Sequence, residues 1–348
     1  MTGRDAPGRT PVVAVGLTGD EASRLLDDRE SLDRWSTSGA AFGVVGIDRI
    51  TRTPPADRTA ETPRPTDMDP SIVATALATG GGPPLVVAGA AHHDLPYNLA
   101  RRVLSLDHLT HGRAGLLLGH RDARGHGHSA WGAVGLNDGA ELGAATAADT
   151  ALAIAELWQS WPLDSVIADK DSGVLVRSDR IVRIDHHGVV DIAGPLSVPS
   201  SPQGAPVLAW YADDPELVAA APAAADLVVL GGFPDAASVA AAASGRTGLL
   251  VEVPVAGVPR HDEVITAVEE SIAAGADGVL LRSAEPAEAA ESVLHLLDRA
   301  LAVLTAVDGT GRGDRDVTLR ATLGLAPPAQ LLAQAQPAFA APTTSVYR

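Results

Sequence analysis

Two adjacent histidines, His92 and His93, close the apolar run "LVVAGAA" at 85–91, and Asp48 follows the run "FGVVGI" at 42–47. An imidazole near its ordinary pKa serves as a general base at neutral pH, and a carboxylate can hold it in one orientation. Neighbouring side chains on an extended chain point opposite ways, so at most one of the two histidines lines a common pocket. Asp48 is as well suited to capping a helix or tying a loop as to catalysis. Further along, "GHRDARGHGHSAWG" at 119–132 gathers His120, Arg121, Asp122, Arg124, His126 and His128. A His-x-His pair beside an aspartate supplies metal-ligand types. A glycine-rich, solvated loop uses the same residues, and on that reading no metal site is expected.

Other groups have structural readings of their own. Asp107 and His108 fall at a helix end, where His108 complements the helix dipole. Asp185, His186 and His187 fall in a segment that alternates like a hairpin, and Arg101 and Arg102 are placed to bridge helices. The chain has no cysteine, which excludes disulfides, thiolate catalysis and cysteine-bound metals. Serine, histidine and aspartate are all present, but no Gly-x-Ser-x-Gly elbow accompanies them, so hydrolase chemistry has little support. The glycine run in "TGGGPP" at 79–84 precedes a strand instead of opening a helix, and is no phosphate cradle.

The elements that must position these groups are built almost entirely from aliphatic residues. Hydrophobic residues make up 46% of the 348, aromatics only 3%, so the core is Ala, Val and Leu. A net charge of −17 argues against nonspecific nucleic-acid binding and against adhesion to an anionic membrane. Lys170 is the sole lysine. No apolar run approaches the roughly 20 residues that span a bilayer. The opening "MTGRDAPGRTP" has no apolar core of a signal peptide, so a cytoplasmic protein is expected.

Eight apolar runs, at 12–17, 42–47, 85–90, 114–119, 206–211, 226–230, 248–255 and 278–281, read as strands. Helix-period segments at 21–38, 69–79, 97–106, 145–158, 215–224, 235–243, 261–274 and 287–304 alternate with them. Near-continuous apolar strands between helices predict a (β/α)8 barrel, with a doubly wound open sheet as the alternative. The reading is a single barrel domain at 1–325, with a hairpin and loop insertion at 161–205 before strand five. An Ala/Pro-rich tail at 326–348 is left to wrap a neighbour or stay unfolded. In such a barrel the active face lies at the strand C-terminal ends. That face would carry Asp48, His92, His93, His120, Arg121, Asp122, Tyr211, Asp213, Asp214, Gly231, Gly232, Arg282 and Ser283.

Five stretches, in order, carry a family resemblance: "DMDPSIVATALAT" at 67–79, "PYNLARRVLSLDHLTHGRAG" at 96–115, "LWQSWPLDSVIADKDSGVLVRSDRIVRIDHHGVVDIAGPLSVPSSPQGAPVLA" at 157–209, "ADGVLL" at 276–281 and "TLRATLGL" at 318–325. They resemble the bacterial luciferase-like flavin-dependent monooxygenases, in the branch of the nitrilotriacetate and dibenzothiophene-sulfone enzymes. The resemblance implies a (β/α)8 barrel, usually dimeric. It also implies reduced FMN, delivered by a separate flavin reductase, inserting oxygen from O2 into a small organic substrate. On that footing the base near the flavin falls to His92 or His93, with Asp48 orienting it. His120, Arg121 and Gly231 stand where the cofactor would be held.

The flavin contacts of the family are replaced as a set. Leu117 stands where the resemblance implies an amide, and Gly143 and Ala144 where it implies an Arg-Tyr pair that is followed by a Glu, here Asp149. Asp213 and Asp214 stand where small hydroxyl residues would receive the phosphate, and they repel a dianion unless Arg121 or Arg124 compensates. The segment between strands six and eight is also shorter than the family's. Three readings follow: a luciferase-like monooxygenase; a flavin-poor homologue acting as subunit or partner of an active one, in a homo- or heterodimer of related barrels; or, with less support, a protein that binds some other small molecule at the barrel mouth.

Overall fold

The computed structural model describes residues 10–51, 68–91, 94–120, 143–232, 234–244, 248–255, 261–283, 294, 297, 300–301 and 317–341. Eight parallel strands close into a barrel: β1 (Val12–Leu17), β2 (Gly43–Val45), β3 (Leu85–Ala90), β4 (Ala114–Gly119), β9 (Val207–Ala212), β10 (Leu227–Leu230), β11 (Leu249–Val255) and β12 (Gly278–Ser283). Strands β5 to β8 lie between β4 and β9 in two antiparallel hairpins, β5 (Val166–Asp169) with β6 (Val174–Val176) and β7 (Asp185–His187) with β8 (Asp191–Ala193). The ring closes where β1 pairs with β12, Val12 opposite Gly278 and Gly16 opposite Arg282.

Every second residue of each barrel strand faces inward. Ala14, Val86, Ala88, Leu117, Val207, Ala209, Leu227, Val229, Leu250 and Leu280 form the interior core. The short helix Leu319–Thr322 places Leu319 in the same core, next to the N-terminal ends of the strands. The alternate residues face the helices, among them α1 (Gly19–Asp27), α2 (Arg29–Ser36), α3 (Pro70–Thr79), α4 (Pro96–Leu109) and α5 (Ala144–Gln159), where Trp35, Trp158, Leu99 and Val279 build a second, outer layer.

The structure departs from the sequence expectation at four places. Strand two stops at Val45, because Gly46 turns with φ 79° and Ile47–Arg49 forms a 3-10 turn. The helix expected at 21–38 is two helices, since Asp28 is extended (φ −116°, ψ 113°) and caps α2 through the Ser31 amide. The helix after β9 is only Pro215–Ala219, α6. The tail, as far as residue 341, lies against its own chain: Val182 bridges Pro337, Arg183 N donates to Gln336 O, and Ala338 N donates to Ile181 O.

Candidate active site

Glu252 and Arg282 are the charged residues that β11 and β12 turn inward. The register sets Glu252 beside Leu280 and Pro254 beside Arg282. Continuing the inward alternation of Leu250 and Leu280 by two residues reaches Glu252 and Arg282 at the strand C-terminal ends. The Arg282 guanidinium bonds to Glu252 Oε1 through Nε, and its Nη1 donates to the Ser283 carbonyl at 3.1 Å. Tyr211, the last inward residue of β9, donates its hydroxyl to Glu252 Oε2 at 2.7 Å. Tyr211, Glu252 and Arg282 are all buried. Burial, reinforced by the Glu252 carboxylate, pushes the Tyr211 phenol far above its usual range.

A second carboxylate approaches from the β1 side. Thr18 and Glu21 form a capping box at the head of α1, with Glu21 Oε2 accepting from Thr18 N at 2.8 Å. Glu21 is 1% exposed, and its Oε1 has no hydrogen-bond partner. Burial raises its pKa; the Thr18 bonds pull it down, Asp48 raises it and Arg282 lowers it. Asp48 Oδ1 accepts from Gly19 N at 2.9 Å, so the carboxylate expected to orient a base ties the turn after β2 to the start of α1.

Three glycines at this end make room for the chain's own side chains. A Cβ on Gly16 would lie 3.0 Å from Ile47 Cδ1 and 3.2 Å from Arg282 Cβ. One on Gly119 would meet Ile50 Cβ at 2.5 Å, and one on Gly231 would overlap the Tyr211 hydroxyl. Leu117 is fully buried in the interior core, and His120 is buried at the end of β4. Asp214 caps α6, accepting from Glu216 N at 2.7 Å, while Asp213 is half-buried beside Gly232. Ala144 packs in the first turn of α5 against the outer core. His92, His93, Arg121, Asp122, Arg124, His126 and His128 lie outside the described residues. Among the described residues no group of three or more His, Asp or Glu could hold a metal ion.

Among the described residues, Tyr211, Ile47 and Ile50 fill the space beside the three glycines, and Asp214 caps α6. The Tyr211–Glu252–Arg282 chain is the feature that sequence reasoning missed as a unit. Its signal is the lone charge in "LLVEVPV", which strand alternation turns into the barrel.

Several other histidines and acids among the described residues tie elements of the fold together. His186 sits between two α5 carboxylates, Nδ1 3.0 Å from Glu156 Oε2 and Nε2 3.2 Å from Asp149 Oδ1, and Asp149 also accepts from Val190 N at 3.0 Å. The β7–β8 hairpin is thereby clamped to the helix. His108 Nε2 lies 2.7 Å from the Pro199 carbonyl. Arg102 joins α4 to Asp69, the N-cap of α3, and to Asp94, which also pairs with Arg49. A groove of about 840 Å³ runs outside the barrel along α3 and α4, lined by Ile72, Leu95, Leu109 and Arg101 among others.

No protein-family model matches the chain. One of the subunits of pristinamycin IIA synthase from Streptomyces pristinaespiralis is 31% identical over 246 residues, 70% of this chain and 72% of that protein. Dibenzothiophene-sulfone monooxygenase of Rhodococcus erythropolis is 35% identical over 143 residues, 40% of this chain and 30% of that protein. The match thus spans under a third of that enzyme's length. The crystal structure of riboflavin lyase aligns over 92% of this chain and 98% of its own, with a TM-score of 0.68 at 21% identity, a likeness of fold. With ordered sequence similarity along most of its length and the closed parallel barrel beneath it, the chain belongs to the luciferase-like flavin monooxygenase family.

Proposed function

We propose that the chain functions in FMN-dependent monooxygenation of a small organic substrate, with reduced flavin supplied by a separate reductase in the cytoplasm. The observation that carries this reading is the match of 246 residues, which spans more than two thirds of both chains. The class reaction takes two electrons from reduced flavin, puts one oxygen atom of O2 into the substrate and releases the other as water. Were the chemistry to occur in this barrel, His92 or His93 would act as base, Asp48 would orient it, and His120, Arg121 and Gly231 would flank the cofactor.

A second division of labour rests on the replaced residues at the barrel mouth. Leu117, Ala144, Asp213 and Asp214 offer nothing to a flavin, and the relative matched over 246 residues is itself one subunit of a synthase. On this reading the chain is a flavin-poor barrel paired with a related, flavin-bearing one. The groove along α3 and α4, where Ile72 (60% exposed) and Leu109 (53% exposed) stand among polar residues such as Asn98 and Arg101, is the surface assigned to such a partner. The deciding assay supplies the purified chain with FMN, a flavin reductase, NADH and O2, and follows oxygenation of a panel of small sulfur and amine substrates. Turnover by the chain alone supports the first division. Turnover only when a flavin-bearing homologue is present supports the second.

A further inference from the structure

We infer that this barrel holds no flavin of its own, because the buried chain Tyr211–Glu252–Arg282, with Ile47 and Ile50, closes the strand ends where the family's cofactor would lie. The inference rests on the second reading above and gives it a physical cause.

Closure involves most of the ring. β1 contributes Gly16, whose open side is filled by Ile47 and Arg282; β4 contributes Gly119, filled by Ile50; β10 contributes Gly231, filled by Tyr211 and Glu252. Each glycine could have left room for a ligand, and each is occupied from within. Beneath them Leu117 sits in close-packed aliphatic core, so the ring system cannot sink lower.

Charge points the same way. The Arg282 guanidinium is bonded to Glu252 and to the Ser283 carbonyl, which withholds it from a phosphate. Glu21 lies close enough to interact with both Arg282 and Asp48, and Asp213 lies close enough to Tyr211 to disfavour its ionisation further. A phosphate dianion brought here would face these carboxylates at low dielectric. Separating Arg282 from Glu252 to admit it would leave a buried charge uncompensated.

The test is titration of the full chain with FMN and with dithionite-reduced FMN, read by flavin fluorescence and by calorimetry. The expected result is no saturable signal up to about 1 mM flavin, from protein that melts cooperatively at a temperature flavin does not move. Saturable one-to-one binding at micromolar FMN would overturn the inference. A second measurement keeps the closing residues in view. Tyr211→Ala is expected to melt below wild type and to regain stability with p-cresol, which replaces the lost side chain, while wild type ignores p-cresol. Unchanged melting of Tyr211→Ala would also overturn it. The subunit reading fails separately: if the chain binds no flavin and a flavin-bearing homologue gains no turnover on its addition, closure stands and partnership falls.

Discussion

Replacing Asp107 by asparagine should make the protein more stable at neutral and alkaline pH, and the gain should vanish in acid. Asp107 is fully buried near the end of α4, where Oδ1 accepts from Ala114 N at 2.8 Å and from Gln203 Nε2 at 2.7 Å. Burial pushes its carboxyl from 3.8 up to about 6, against the smaller downward pull of Ser201, Ala114, Gln203 and His108. The sign follows from linkage. A folded-state pKa above the unfolded value means that the folded protein binds the proton more tightly. The protonated form therefore supports folding fully below the unfolded value, and that support is lost as pH rises through about 6. A shift of about two units corresponds to about 3 kcal/mol. Asparagine keeps the Oδ1 acceptor and cannot ionise, so Asp107→Asn removes the loss. Urea unfolding of both proteins between about pH 4 and pH 8 should show a difference that grows in favour of the variant by on the order of 2–3 kcal/mol. A difference independent of pH would refute the assignment of the penalty to this carboxyl.

Three further outcomes are expected. Tyr211→Phe leaves Glu252 Oε2 short of its buried donor and should cost about 1–3 kcal/mol of stability, and alkaline absorbance titration should lose its latest-ionising tyrosine. Arg282→Met strands the Glu252 carboxylate and should cost about 3–5 kcal/mol, whereas Arg282→Met with Glu252→Leu should recover most of that in the same denaturant assay. His187 is exposed, and its pKa is raised first by Asp191 and then by Asp185. Asp191→Asn should therefore lower the His187 titration midpoint seen by NMR, and an unmoved midpoint would remove Asp191 as the cause.

The barrel is legible in the sequence because its strands are buried on both faces, so "VVAVGL", "LVVAGA" and "AGLLLG" stand out as apolar runs between helix-period segments. The family is legible from the stretch at 157–209, whose hairpins and loops carry an unusual residue order. What periodicity could not give is the β5–β6 hairpin, since all four residues of β5 are exposed and no alternation marks it. Nor could it split α1 from α2, because Asp28 looks like any polar helix residue until it is seen turning extended to cap Ser31. At the mouth, Tyr211 and Arg282 are legible as residues on the active face, but their pairing through Glu252 depends on the shear of the closed ring. Gly231 shows the limit most clearly. Read in sequence it is a place for a ligand to approach, and in the fold it is the space in which a tyrosine hydroxyl lies.

The closing of the ring has a consequence for how the protein is made. β1 pairs on one side with β2, a near neighbour in sequence, but on the other with β12, where Val12 meets Gly278. During synthesis that second edge of "VVAVGL" stays open until most of the chain has left the ribosome. Arg320, which anchors Asp226, Gln203 and the Ala326 carbonyl below the strands, arrives later still. An apolar strand with an unpaired edge recruits other strands. The nascent protein is thus most prone to self-association over the interval between β2 and β12, and chaperone demand should follow the time spent translating that interval rather than the stability of the finished barrel.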